Sequence, residues 1–402
     1  MASIAGCERS ERTSEGGDAL EDRLVALGTT WIQPIVNYQF PWVVLGHDAP
    51  VTAVCTIFED LNKRGVRLSV FDLLVARFWP QGVTLRDLWE QARAIHEELD
   101  EFDIDPYYLL QVVTLLSTFE QGGTTASCKK SDVLALTGAA VRQWWDEAAS
   151  AMQEAILRLA DDCGVLTKKW LPYEPMLVPL AATLASERAR RGRYPSGIDR
   201  ERLNRWFWCS VFGQAYEQGA TSQSAKDFVE LVDWLGGGIE PSTVRAFNPE
   251  GVELESIGPK QTALYRGVIA LILSGSPHPR DFRSFNPINR TIAKADADDH
   301  HIFPNAYLKQ ARPDLNEAER NVVLNRTLID RETNQSIHKK APSVYVAALP
   351  ERVDTRTRSG LLKSHLIPGA PEGPLLADDY DEFLRQRKEL IAGRVVAVTS
   401  GS

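Results

Sequence analysis

No apolar run in this chain of 402 residues approaches the length of a membrane span. The opening stretch from Glu8 to Asp22 is too polar for a signal peptide, so a soluble, cytoplasmic protein with no membrane partner is expected. Cysteine is sparse and odd in number: Cys7, Cys55, Cys128, Cys163 and Cys209 are scattered, and no C-x-x-C pair exists. That excludes a zinc ribbon and a disulfide framework, and leaves reduced thiols. Positive charge is also short. With 45 Lys and Arg against 54 Asp and Glu the net charge is −9, and the pI is near 5.4. A protein that coats nucleic acid non-specifically is thereby excluded, and any DNA contact must rest on local basic patches. Arg188, Arg190, Arg191 and Arg193 form one such cluster, and Arg352, Arg356 and Arg358 another; clusters like these are more often solvated faces. No internal repeat and no long low-complexity tract is present.

What is there supports two or three domains, since 44% of the residues are hydrophobic and 25% charged. Residues 1–20 are polar and Gly/Ser-rich, which predicts disorder. Within 21–80, Tyr38 to Gly46 reads as a short buried strand. Val51 to Leu61 reads as a helix carrying Val54, Ile57, Phe58 and Leu61 on one side. Asn62 to Gly65 makes a turn, and Ser69 with Asp72 opens the next helix as a capping box with the shorter acid. Residues 81–280 are overwhelmingly helical in pattern, with segments near 85–99, 105–118, 130–162, 175–190, 199–218, 224–235 and 259–273. Trp144, Trp145, Trp206, Trp208 and Trp234 fall mostly in their apolar stripes and read as core anchors. A last module spans 281–395, ending in a helix over 377–391 and a loose tail.

The chemistry concentrates in that module. His300 and His301 end a short extended segment, and Pro304 stops it because proline has no N–H for a ladder. Val322 to Asp330 is a β-prone run carrying Asn325, and Arg331 to Lys340 reads as a short helix carrying Asn334. Cleaving a phosphodiester needs a water made nucleophilic and a divalent ion to neutralise charge on the leaving oxygen. A neutral imidazole can take the proton near pH 7. Magnesium, or manganese in its place, keeps several waters and needs few protein ligands, so a sparse His/Asn set suffices. The bland alternative is a pair of loop histidines beside a proline. Asp298 and Asp299 precede the pair, and Asp299 could lend a carboxylate to the metal or orient a histidine. Asp296 and Asp298 read as a solvated loop. Lys339 and Lys340 lie beside the proposed site and are the DNA-contact candidates.

Histidine on one strand, asparagine on the next and a ligand on the following helix resemble the ββα-metal, or HNH, nucleases. Several segments extend the likeness to GmrSD-type proteins, the modification-dependent (type IV) restriction systems. They are Phe58 to Ser69 with Asp72-Leu73-Leu74, Leu171-Pro172-Tyr173 followed by Val178-Pro179-Leu180, and Arg205-Trp206-Phe207-Trp208. The block Asp299 to Leu308, Ala341 to Tyr345, Ser364 to Pro368 and Phe383 to Arg387 complete it. The resemblance covers roughly 35–391 and is most specific in the nuclease block. It implies a mainly α protein: the remnant of a ParB-like α/β N-terminal part over 21–80, a helical middle domain, and a C-terminal ββα-metal module. It implies His301 as general base, His300 as a metal ligand, Asn325 as the amide that pins the loop carrying the base, and Asn334 as the residue completing the metal site. His338 would share a helical face with Asn334 as a second ligand, or else be a phosphate contact or an exposed histidine.

The Asp-Gly-Gln-Gln-Arg signature of complete members occurs nowhere in the chain. The expectation is a chain that begins inside the ParB-like domain, with no nucleotide-binding site and with a separate NTPase as possible partner. Asn62 and Arg64, in a ParB-type element, could touch a phosphate or simply form a turn. The function implied is a DNA endonuclease acting against foreign, modified DNA, with a homodimer as a route to double-strand breaks. The rival is a non-catalytic DNA-binding or scaffold subunit of a split NTPase–nuclease system.

Overall fold

The computed structural model describes residues 14–39, 53, 57, 69–122, 125–295, 297–353, 356–369 and 373–401. The chain divides into two compact units, Met1–Thr56 and Ile57–Ser402. In the first, helix α1 (Ser14–Leu27) continues through a π-helical turn (Gly28–Ile32) into α2 (Gln33–Val36). Of the disorder expected over 1–20, the stretch from Ser14 is helical instead, and residues 1–13 lie outside the described residues. Leu20, Leu24 and Leu27 follow one another at helical spacing. Of the strand expected over Tyr38 to Gly46, only Tyr38 and Gln39 are described. Of the helix expected over Val51 to Leu61, Ala53 and Ile57 are described and both are helical. Asn62 and Arg64 lie outside the described residues.

The second unit opens with α3 (Val70–Phe78), and its capping box is present in both directions. The Ser69 hydroxyl accepts from Asp72 N at 3.1 Å and the Asp72 carboxylate accepts from Ser69 N at 3.1 Å. The following helices are α4 (Leu85–Ile95), α5 (Glu97–Glu101), α6 (Pro106–Gly122), α7 (Lys130–Ala135) and α8 (Gly138–Cys163). Then come α9 (Leu177–Arg191), α10 (Ile198–Phe212), α11 (Ala220–Leu235), α12 (Ser242–Ala246) and α13 (Thr262–Leu273). Among the described residues no strand precedes Ala297, so the protein is mainly helical and the α/β character expected of 21–80 is not seen in its described part.

Helices α6, α8, α9 and α11 pack into a bundle that α10 joins through α8 and α11. Its core takes Trp145, Trp206, Trp208 and Trp234, all at most 5% exposed, whereas Trp144 is half-buried. Gly164 caps α8 at φ +67°, and a side chain there would collide with the backbone of α13 at Ala270 and Ser274. This close approach fixes α13, which matters because α13 lies against the strand ribbon.

The C-terminal part comprises α14 (Arg290–Ala295), β1 (Ala297–His301), α15 (Asn305–Ala311), α16 (Glu317–Arg320), β2 (Arg326–Asp330) and α17 (Arg331–Ile337). It closes with α18 (Pro342–Ala347), a two-residue ribbon of β3 (Arg352–Val353) and β4 (Arg356–Thr357), α19 (Arg358–Ser364) and α20 (Tyr380–Thr399). Strands β1 and β2 pair antiparallel, with His300 opposite Thr327 and His301 opposite Arg326. The strand expected over the whole of Val322 to Asp330 begins only at Arg326. Val323–Asn325 form a 3-10 turn because Val323 N is drawn away to Ile257 O at 2.7 Å. The final helix runs past its expected end at 391, since Ile391, Val395 and Thr399 continue a buried stripe at i, i+4 spacing. Arg205 on α10 donates to Thr399 O at 2.8 Å, which anchors what the composition presents as a tail. Residues 81–280 and 281–395 both lie within the second unit.

Candidate functional site

Successive side chains of a strand leave on opposite faces, and the partners along β1 follow that rule. On one face Asp298 and His300 meet α17: His300 Nδ1 lies 2.7 Å from Asn334 Oδ1, and Asn334 Nδ2 donates to Asp298 Oδ2 at 3.0 Å. Asp298 is therefore a strand residue with an assigned partner, where a solvated loop is expected from the sequence. On the other face, His301 Nε2 lies 2.8 Å from Asn321 Oδ1, and Tyr265 of α13 donates to Asp299 Oδ2 at 2.6 Å. Arg326 joins these two, donating to Asn321 Oδ1 at 2.8 Å and standing 3.4 Å from the Asp299 carboxylate. Asp296 lies outside the described residues.

Burial sets the protonation of both histidines. His300 is 2% exposed, and desolvation pushes it from 6.5 down to about 3 against the opposing bond to Asn334. His301 is lowered to about 4, first by desolvation and then by the Arg326 charge. Both rings are neutral at pH 7, so each presents one bare nitrogen lone pair. His300 Nε2 is buried without a hydrogen-bond partner, while Phe282 and Tyr345 flank the ring in T-shaped contacts, ring centroids 6.2 and 6.3 Å away.

The loop after the histidines is held by Asn325, which is fully buried in the 3-10 turn. Its Oδ1 accepts from Phe303 N at 2.8 Å, and its Nδ2 donates to Phe303 O at 3.0 Å and Arg320 O at 3.1 Å. One amide thus closes both backbone groups of Phe303. The Phe303 ring packs on Tyr380 and Phe383 of α20, each 5.1 Å away, and Tyr345 donates to Ile302 O at 2.8 Å. These contacts belong to a local core that also includes Phe282, Ile302, Ile329 and Ile337. Burying a side chain such as Phe303 is worth about 1.5–3 kcal/mol.

Of the alternatives for His338, the helical face shared with Asn334 is not formed and the exposed histidine is what is seen. Helix α17 ends at Ile337, and His338 caps it at φ +50°, exposed, so it shares no helical face with Asn334. Lys339 and Lys340 are exposed beside it, and Lys340 donates to Ser336 O at 2.7 Å across the helix end. In the other basic clusters, Arg190 and Arg191 pair with buried Glu187, and Arg188 donates to Tyr194, so those charges serve the bundle.

Four polar residues of this region carry no role in the sequence reading. They are Asn321, Arg326, His365 and Arg387. His365 is fully buried, with Nε2 donating to Arg280 O at 2.6 Å and Nδ1 accepting from the Thr327 hydroxyl at 2.7 Å. Arg387 is buried with no carboxylate partner among the described residues, donating to Leu324 O at 2.6 Å and His365 O at 3.2 Å, so α20 clamps the turn that carries Asn325. Arg326 alone had a legible signal, because it opens a β-prone run opposite the two histidines.

Among the described residues no three His, Cys, Asp or Glu side chains cluster as a metal site. The donors available are fewer: the orphaned lone pair of His300, the Asn334 amide oxygen and the Asp298 carboxylate beside it. The Asn334 amide oxygen and the Asp298 carboxylate are oxygen donors of the kind a hard cation takes, whereas the His300 lone pair on Nε2 lies across the ring from the Nδ1 that engages Asn334 and does not face the same point.

No family model matches the chain. An uncharacterized protein of Methanocaldococcus jannaschii is 27% identical over 384 residues, covering 90% of this chain and 61% of that protein. The chain therefore spans less than two thirds of that relative's length. Among the described residues no helix is long and apolar enough to cross a membrane.

Proposed function

We propose that the protein is a metal-dependent DNA endonuclease of the ββα-metal type. The observation that carries this reading is the strand–strand–helix unit. It sets His300 and His301 at the end of β1, Asn325 immediately before β2 and Asn334 on α17. His301, neutral and half-buried, takes a proton from the attacking water. Asn325 fixes the Ile302–Phe303 backbone that follows the base, and Arg326 lends positive charge on the same face. Asn334 and Asp298 would offer oxygens to magnesium or manganese, and His300, the ligand the resemblance assigns, would join them once its ring turns from the Asn334 amide. When bound, the cation would neutralise charge building on the phosphate. Because His300 and His301 leave β1 on opposite faces, a phosphate served by both would have to lie at the end of the strand.

The resemblance to GmrSD-type restriction proteins gives this chemistry its setting, defence against foreign or modified DNA, and allows a separate NTPase subunit with a ParB-like domain. That setting rests on analogy. A second reading, a DNA-binding or scaffold subunit without catalysis, draws on one observation: His300 is almost wholly buried in an aromatic setting. Conversion of supercoiled plasmid to nicked circles, measured with magnesium or manganese and again with a chelator, separates the two. Metal-dependent nicking is expected. DNA retention without any nicking in either metal would favour the scaffold.

A further inference from the structure

The ring orientation of His301 follows from which of its neighbours can only donate and which can only accept. Asn321 lies just beyond α16, and its Nδ2 donates to Glu317 O at 2.9 Å. A carbonyl oxygen only accepts, so the amide nitrogen must face it. At the other end of the same amide the Arg326 guanidinium, which only donates, reaches Asn321 Oδ1 at 2.8 Å. Both ends of the amide are thus assigned by one-way partners. His301 Nε2 stands 2.8 Å from that same Oδ1, and an amide oxygen requires a donor there.

We propose that Asn321 is a positioning residue for His301, holding the ring proton on Nε2 and leaving the basic lone pair on Nδ1. The catalytic meaning of this assignment rests on the nuclease reading, but the tautomer can be read without any cleavage.

Two further observations strengthen the assignment. Arg326 is itself held, by the Asp299 carboxylate at 3.4 Å, and Asp299 accepts from the Tyr265 hydroxyl at 2.6 Å. A chain of contacts therefore runs from α13 of the helical part, through Asp299, Arg326 and Asn321, to the base. The neighbouring histidine supplies a contrast. Asn334 Nδ2 donates to the Asp298 carboxylate, so its Oδ1 faces His300 Nδ1, and that nitrogen must carry the proton. Two adjacent histidines thus hold opposite tautomers, each set by an asparagine whose other end is tied down. An unrestrained imidazole would exchange between tautomers and rotate, and misplacing a catalytic group by about 1 Å costs on the order of 100-fold in rate.

The test is nitrogen–proton correlation NMR on the full chain with ¹⁵N-labelled histidine at neutral pH, run on wild type, Asn321→Leu and Asn321→Asp. In wild type, His301 should carry its proton on Nε2 and His300 on Nδ1. Asn321→Leu should cost His301 its protected Nε2 proton and leave the His300 pattern in place. Asn321→Asp gives up the bond to Glu317 O but keeps an acceptor toward both Arg326 and His301, and should retain the His301 proton on Nε2. In plasmid nicking, Asn321→Leu should lower kcat by on the order of 10- to 100-fold with KM for DNA changed less than about twofold, and Asn321→Asp should recover most of it. A His301 proton on Nδ1 in wild type would overturn the proposal, as would an unchanged His301 pattern in Asn321→Leu. Should Asn321→Leu unfold, loss of the His300 pattern reveals it, and wild type with Asn321→Asp still decides. No nicking by wild type with both tautomers as stated would sink the nuclease reading and leave the assignment standing.

Discussion

The helical bundle and the two-stranded ribbon bury polar groups in opposite ways. In the bundle the buried groups are carboxylates answered by many partners. Glu187 meets Arg190 and Arg191, and Arg191 reaches on to Asp199 of α10 and Leu235 O of α11. Asp227 accepts from Tyr216, Gln223 and Thr243. Around the ribbon three buried basic groups, His300, His365 and Arg387, have no carboxylate as hydrogen-bond partner among the described residues, while Arg326 keeps Asp299. His300 and His365 are pushed down to about 3 and about 4, and burial lowers Arg387 to about 9. The first arrangement locks helix to helix. The second costs stability, because a buried base is kept neutral or faces only carbonyls, and it leaves bare lone pairs where chemistry is proposed. Departures from the rule that local choices favour stability are expected at functional sites.

The largest expected effect lies in the bundle. Trp206→Ala on α10 should cost about 3–5 kcal/mol, read as a shift of the guanidinium unfolding curve, while the folded fraction keeps its nicking rate. A stability loss below about 1 kcal/mol would mean that the tryptophans are not the anchors their burial indicates. Next comes Asn325→Ala, which strips partners from Phe303 N, Phe303 O and Arg320 O. It should cost about 1–3 kcal/mol and reduce nicking beyond what lost folded protein explains. An Asn325→Ala protein that is destabilised yet fully active once folded would move this residue to the bundle's side of the comparison.

Much of this contrast was legible in the sequence, and the illegible parts have physical causes. Helical periodicity placed the bundle well, because stripes such as Val141, Trp145, Ala148 and Met152 repeat at the helical period. Breaks within it were less visible: α4 ends at Ile95 and α8 starts only at Gly138, each set by a single loop residue or two. Helix–strand boundaries in the ribbon were misplaced where tertiary bonds intervene, as with Val323 and Ile257. The pairing of His300 with Asn334 could be expected from a motif. The pairing of His301 with Asn321 could not, since nothing local marks that asparagine. Arg387 reads as one charge on an amphipathic helix, and only the packing of α20 shows that it is buried.

A smaller effect tests the neutral histidines. His365 has a folded value near 4 against 6.5 for an unperturbed ring. Its folded value is depressed, so the unfolded chain takes up the proton first as pH falls. The associated stability is full above about 6.5 and is lost as pH drops toward 4, amounting to on the order of 1–2 kcal/mol between pH 7 and pH 5. The unfolding midpoint should fall across that window, and the His365 ring resonance should titrate near 4. Titration near 6.5 would show that the ribbon's core is wet. The smallest effect is expected from Lys339→Gln with Lys340→Gln. DNA binding should weaken a few-fold, and the slope of log K against log salt should shrink by about 1–2. An unchanged slope would remove these lysines from the phosphate track.

The central claim is that the ribbon carries the chemistry and the bundle carries the stability. It is tested most directly by His301→Ala, with plasmid nicking in magnesium and the unfolding curve measured on the same preparation. The prediction is a loss of at least about 100-fold in nicking rate with an unfolding free energy within about 1 kcal/mol of wild type. Equal nicking by the two proteins would contradict the account.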